Sequence, residues 1–515
     1  MVHTKMVWSS AAALVALCAS GCHKSDVDHA AAQSVPSSTP AASDRSTLAD
    51  SDVESNVKAE FRRDKKIDES RIYVAVKDGI VALTGSVDNL ISSSRAAKIA
   101  EIVRGVRSVS NRVVIEPLPR PDGDIDRDVQ EALRDDSATE KMPIHVAVKD
   151  GVVTLQGTVQ SWQEQQLAKR IADGVRGVKQ VQDDLQIRFG VKRADDAIVG
   201  DIRSRLSWDS LVENDPVGVY AKDGKVTLSG TIGSAAEESR AIVDAWVDGV
   251  VSVDPSQLEV RWWDRPDKNV RSQSSRSDQD IAKAIRDAIL FDPRVKPFEI
   301  TPRVTNGVAT LTGTVGTIKA KMAAESLARN TVGVNLVKNQ LELIPQSALS
   351  DRAIGDRINK VLAFDPITDG RQVHVTVKDG DVALTGSVDT DFESAEAFDV
   401  ASGISGVKEV KDDLLVSQAV VPYVYSSYLD PYEPYAAGWY MIASRTPTSD
   451  AELEHRIDTE IRRSPFVPPD EVHVQVKDGK ATLTGTVATS RERATAGNDA
   501  FQAGATGVDN ELKLD

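Results

Sequence analysis

Apolar positions along this chain fall into one pattern that returns six times. Each return opens with residues four apart: Val53/Val57/Phe61, Ile125/Val129/Leu133, Ile198/Ile202/Leu206, Ile281/Ile285/Ile289, Ile354/Ile358/Leu362 and Leu453/Ile457/Ile461. That spacing lines one face of an α-helix. Strict alternation follows, as in Ile72, Val74, Val76 or Val472, Val474, Val476, and leads into Asp78-Gly79, Asp150-Gly151, Asp223-Gly224, Asn306-Gly307, Asp379-Gly380 and Asp478-Gly479. Such a pair between alternating runs predicts a β-hairpin closed by a type I′ turn, because both central residues need positive φ. The first spine residue precedes the turn glycine by 26 positions in all six copies. Self-similarity at this scale sets the architecture before propensity is consulted.

The strand after the turn carries Val81, Leu83 and Val87, interrupted by Gly85, with Gly157, Gly230, Gly313, Gly386 and Gly485 in the same place elsewhere. A glycine inside a strand predicts a bulge or a close approach of backbone. Next comes a helix marked by alanines one turn apart: Ala96/Ala100, Ala168/Ala172, Ala241/Ala245, Ala324/Ala328, Ala397/Ala401 and Ala496/Ala500. Gly105, Gly177, Gly249, Gly333, Gly406 and Gly507 are expected to end it in a left-handed cap. A closing strand is expected at Val113-Val114-Ile115, Leu185-Gln186-Ile187, Leu258-Glu259-Val260, Leu341-Glu342-Leu343, Leu414-Leu415-Val416 and Leu512-Lys513-Leu514.

The predicted fold class is therefore α+β: six tandem αββαβ units, each with two helices on one face of a three-stranded sheet. If the closing strand lies beside the second, the helical crossover makes that pair parallel and the sheet mixed. Two copies depart from the pattern. The third has Pro216-Val217-Gly218 in its first strand and Asp244 and Asp248 where other copies bury aliphatics, and the fourth has Pro302 in its first strand. These are expected to be the least regular or most partner-dependent units. A unit of about 70 residues buries only about 60% of its unfolded surface, so neighbours or lipid matter to its stability.

The pattern Val74-x-Val76-x-Asp78-Gly79-x-Val81-x-Leu83-x-Gly85-x-Val87, followed by an Ala-rich helix and Gly105-Val106-x-x-Val109, resembles the BON domain of bacterial envelope proteins. The resemblance divides the chain into units at 47–116, 124–189, 194–263, 277–344, 350–417 and 450–515. It implies a non-enzymatic envelope module, with phospholipid binding, envelope integrity and osmotic stress as family themes.

The start of the chain places those units. His3 and Lys5 precede an apolar run, Val7 to Ala19, that is too short to span a bilayer, so residues 1–22 read as an export signal. Ala19-Ser20-Gly21-Cys22 resembles a bacterial lipobox, which implies acylation of Cys22, and His23 after it implies the outer membrane, facing the periplasm. The alternative is cleavage nearby and a soluble periplasmic protein. Of the two cysteines, Cys18 lies inside the signal, so the exported chain keeps one at most and has no internal disulfide. Residues 23–46, rich in Ala, Ser, Pro and Asp, read as a flexible tether reaching on the order of 25–30 Å.

Composition narrows the partners. A formal charge of −16 argues against nucleic acid, which needs a basic face, and against broad adhesion to anionic lipid. Membrane phospholipid, touched locally, or envelope proteins are the expected partners. His145, His374 and His473 share one strand position in three copies, without ligands at a zinc-like spacing, and read as solvated or interface residues. No paired carboxylates, phosphate loop, nucleophile elbow or His-Glu-x-x-His run is present, so no enzyme activity, cofactor or metal is expected.

Two linkers complete the chain. Residues 264–276 are rich in Ser, Arg and Asp beside Trp262-Trp263, and residues 418–449 hold Tyr423, Tyr425, Tyr428, Tyr432, Tyr435, Trp439 and Tyr440 among prolines. Those rings read either as packing on adjacent units or as a contact segment, since amphipathic rings suit bilayer interfaces, partner surfaces and sugars. The leading functional expectation is a lipoprotein whose repeats bind phospholipid or envelope partners. Alternatives are an extended protein-interaction scaffold and a chaperone-like or ligand-binding periplasmic protein.

Overall fold

The computed structural model describes residues 48–64, 67, 70–190, 193–212, 217–261, 276–344, 349–418, 449–487 and 490–514. The six copies lie within one compact unit, Ser46–Asp515. The αββαβ order holds in every copy. First helices run Asp50–Arg63, Asp122–Asp135, Asp195–Trp208, Asp278–Phe291, Asp351–Phe364 and Asp450–Arg463. Second helices run Leu90–Glu101, Trp162–Asp173, Ala235–Ala245, Ile318–Arg329, Asp391–Gly403 and Ser490–Ala503.

In each sheet the second strand is central, antiparallel to the first and parallel to the last. Both turn residues have positive φ, 54° at Asp78 and 73° at Gly79, and the other five turns repeat this. The strand glycines also lie at positive φ, and a Cβ on Gly85 would come 1.9 Å from the carbonyl oxygen of Arg71, where the first strand begins. Every spine residue and every paired alanine of the second helices is buried. Each fully buried spine side chain contributes about 1.5–3 kcal/mol. Pro302 pairs opposite Leu311 on an edge strand, where a residue without an N–H is tolerated.

Two expectations need correction. The last strand begins well before the expected tripeptide: in the second copy it is Gln180–Ile187, paired along its whole length with Val152–Val159. Its polar residues face solvent while Val181 and Leu185 turn inward, so an apolar run registers only at its end. In the first and sixth copies it splits in two, Ser108–Asn111 with Val114–Ile115 and Gly507–Asn510 with Lys513–Leu514. The second error is Gly507, which lies in that strand, whereas Gly504 takes the positive φ after the sixth copy's second helix. In the other five copies the glycine sits three or four residues past the helix end. There it lets the loop cross the spine, and a Cβ on Gly105 would meet Val53 Cγ2 at 2.7 Å.

An aspartate that opens each first helix fastens the unit. Asp50 accepts from the backbone N–H groups of Asp78 and Gly79 at 2.8 and 2.9 Å. Asp122, Asp195, Asp278, Asp351 and Asp450 do the same for their own turns at 2.8–3.2 Å. The carboxylate also sits at the positive end of the helix dipole, so one side chain satisfies both the turn and the helix start.

The copies meet through two recurring contacts. In the first, the residue before the loop glycine donates its N–H to the carbonyl that ends another copy's first helix. Arg104 donates to Arg463 at 3.0 Å, Arg176 to Phe364 at 2.8 Å and Val332 to Trp208 at 2.9 Å. These bonds pair the first copy with the sixth, the second with the fifth and the third with the fourth. Ring side chains deepen the pairing: Phe466 joins the first copy's core and Phe364 the second's, while Trp208 packs on the fourth's. In the second contact, the start of a second helix lies against a neighbour. Leu90 packs on the second copy's core, Trp162 stacks on Trp246 of the third (centroids 5.3 Å apart, planes 2° from parallel), and Ala235 and Ala236 enter the first's. Copies one, two and three thus close in a circle.

Candidate functional site

The structure distributes the residues singled out from sequence. Cys22 lies outside the described residues, as do Tyr423, Tyr425, Tyr428, Tyr432, Tyr435, Trp439, Tyr440, Pro216, Trp262 and Trp263. His145, His374 and His473 are exposed on three separate sheets. Among the described residues no group of three His, Cys, Asp or Glu could hold a metal, and no helix is long and apolar enough to cross a membrane. The turn and strand glycines Gly79, Gly85, Gly151, Gly157, Gly224, Gly230, Gly307, Gly313, Gly380, Gly386, Gly479 and Gly485 all take positive φ.

What the structure brings together, and the repeat pattern did not reveal, is charge buried where second helices meet other copies. An aspartate follows the first helix in five copies: Asp64, Asp136, Asp209, Asp292 and Asp365. In the first copy Arg95, from the second helix, reaches Asp64 at 2.7 Å with both side chains buried, and its guanidinium lies 4.2 Å from the Phe392 ring of the fifth copy. Arg240 makes the same pair with Asp209 at 2.5 Å. Asp244, expected to disturb the third copy, is instead held by Arg205 at 3.0 Å and Arg240 at 3.9 Å. Burial and the neighbouring Asp209 push its carboxyl up to about 6 against the pull of both arginines.

The fifth copy reverses the charge. Glu396 occupies the position of Arg95 and Arg240, sixteen residues past the turn glycine, and faces Asp365. Burial first, then Asp365 and Asp399, push its carboxyl up to about 8 despite Arg170 and Lys319. Its Oε2 is buried with no hydrogen-bond partner among the described residues. Lys319 of the fourth copy reaches across to Asp399 at 2.6 Å. Burial pushes the ammonium down, yet Asp399, Asp136 and Glu396 outweigh it and the net shift is upward. Where the first and third copies meet, burial and Glu101 push Glu238 up to about 7. These groups can store and release protons; among the described residues they stand beside no metal-binding group.

Comparison with known proteins fits six copies of one unit. The family model described as BON domain matches residues 49–117, 121–188, 194–261, 277–345, 350–418 and 449–515. The chain belongs to the BON domain family. Osmotically-inducible protein Y of Escherichia coli is 36% identical over 139 residues, 26% of this chain and 69% of that protein. Outer membrane lipoprotein DolP of Haemophilus influenzae is 30% identical over 138 residues, 26% of this chain and 71% of that one. The solved C-terminal domain of CdsD, a structural protein of the Chlamydia trachomatis type III secretion system, is 16% identical with a TM-score of 0.12. That alignment covers 47% of this chain and all of the domain, and its score gives it no weight. Each of these two relatives aligns with about a quarter of the chain, a stretch about two BON copies long.

Proposed function

We propose that this protein is a non-enzymatic lipoprotein of the cell envelope, anchored through Cys22 to the outer membrane and facing the periplasm. Its BON copies bind phospholipid surfaces or envelope proteins and support envelope integrity under osmotic stress. The observation that carries the reading is the set of six matched BON stretches, together with relatives named for osmotic induction and for an outer-membrane lipoprotein. Packing restricts where binding occurs. The starts of four second helices, at Leu90, Trp162, Ala235 and Ile318, are covered by other copies, which among the described residues favours the outer sheet faces. A docking platform for envelope proteins is the second reading, favoured by edge strands that pair on one side only and by exposed rings such as Tyr73 and Tyr220 on them.

Flotation of residues 47–515 with anionic and with neutral liposomes tests the lipid reading. Binding that weakens on deleting Pro422 to Met441 supports it, and no flotation alongside envelope proteins recovered in a pull-down supports the platform. Labelled fatty acid that fails to incorporate, or that still incorporates after Cys22→Ser, overturns the anchor.

A further inference from the structure

We propose that the packed arrangement of copies is gated by protons: the junctions of second helices stay shut under mildly acidic conditions and part as the surroundings become alkaline, uncovering helix faces now hidden between copies. The geometry comes first. At one set of positions the first and third copies place arginine against aspartate, Arg95 with Asp64 and Arg240 with Asp209. The fifth places Glu396 there, against Asp365. Two carboxyl groups in a buried site cannot both ionise cheaply, so one keeps its proton. Asp365 is committed, accepting from the N–H groups of Ile367 and Thr368 at 2.8 Å each and from the Thr368 hydroxyl at 3.2 Å, which leaves the proton to Glu396.

The charges facing Glu396 come from four elements. Its own helix supplies Asp399 and the end of its copy's first helix supplies Asp365, while second helices of other copies supply Arg170 and Lys319. Lys319 is already engaged by Asp399 at 2.6 Å and by the field of Asp136. The cations therefore fail to hold Glu396 ionised. Glu238 repeats the arrangement between the third and first copies, facing Glu101, whose own partner is Lys98 at 2.9 Å.

The sign follows from where each proton sits. Closed, Glu396 keeps its proton up to about pH 8; burial is the largest cause, so water entering a parted junction lowers it toward the ordinary 4.5 although Asp365 and Asp399, of its own copy, stay beside it. Below that ordinary value both states are protonated and closure is at full strength. Between the two values separation releases a proton, so each pH unit favours the open state by up to about tenfold per group. Glu238 acts in the same direction between 4.5 and about 7.

Hydrogen exchange of the whole mature chain, corrected for intrinsic base catalysis and read at residues 391–403 and 235–245, tests this independently of any ligand. Protection should fall at least tenfold between pH 6 and pH 9, with a larger radius of gyration by X-ray scattering. Glu396→Gln, which keeps the shape and cannot ionise, should flatten the profile at 391–403, and Glu238→Gln should do so at 235–245. The second variant, at a partly exposed site, carries the test if the first does not fold. Equal protection at both pH values, loss of protection on acidification, or a wild-type profile in the folded variants overturns the proposal.

Discussion

Asp122→Asn tests how much one carboxylate holds together. Asp122 accepts from Asp150 N at 2.8 Å and from Gly151 N at 3.0 Å. Asparagine offers one oxygen, so its amide nitrogen must turn toward one of those donors or away from both. Hydrogen bonds to a charged group are worth about 1.5–3 kcal/mol each, and a first-turn carboxylate adds about 0.3–1 kcal/mol against the helix dipole. The hairpin tip is exposed, so water recovers part of this and the net cost is set near the low end, about 2 kcal/mol. With an m-value of about 1 kcal/mol/M in urea for a unit this small, the second copy's midpoint should fall by about 2 M. Urea titration read by hydrogen exchange over residues 144–159 separates this copy from the others. Asp126→Asn, in the same helix and bonded to Gln130 at 2.7 Å, should shift it by less than about 0.5 M. An Asp122 effect no larger than that control refutes the reasoning.

The other predictions concern backbone and packing. Gly157 sits at φ +143° with the Pro143 carbonyl oxygen 2.1 Å from any added Cβ; Gly157→Ala should cost about 3 kcal/mol or more from strain and clash together, seen as lost exchange protection over 144–159. Arg104 donates to the carbonyls of Ser464 at 3.0 Å and Val467 at 2.7 Å. Arg104→Ala should cost about 1.5–3 kcal/mol at that clasp, so limited proteolysis should release the sixth copy faster while the pair of third and fourth copies resists as before.

The unit itself was legible because its information repeats. The 26-residue interval, the Asp-Gly turns and the alanine pairs sit at constant offsets, and each corresponds to one physical demand of a hairpin or a helix face. The turn-capping aspartates were equally regular, 29 residues before every turn glycine from Asp50 to Asp450. Sequence alone does not single them out, because an acidic residue at a helix start already has an explanation in the dipole. The closing strands were cut short because polar edge residues such as Gln180 and Gln182 take their β-structure from the neighbouring strand. The contacts between copies could not be read at all. They rest on residues that differ from copy to copy, Trp162, Lys319 and Glu396 among them, so the repeat carries no trace of them.

Pairing third with fourth, second with fifth and first with sixth nests the contacts, so the first of the six copies to be synthesised is completed by the last of the six. A nascent or truncated polypeptide therefore carries an empty seat at Arg104 until the sixth copy arrives. Assembly of this kind brings the first and sixth copies, far apart along the chain, to the same place.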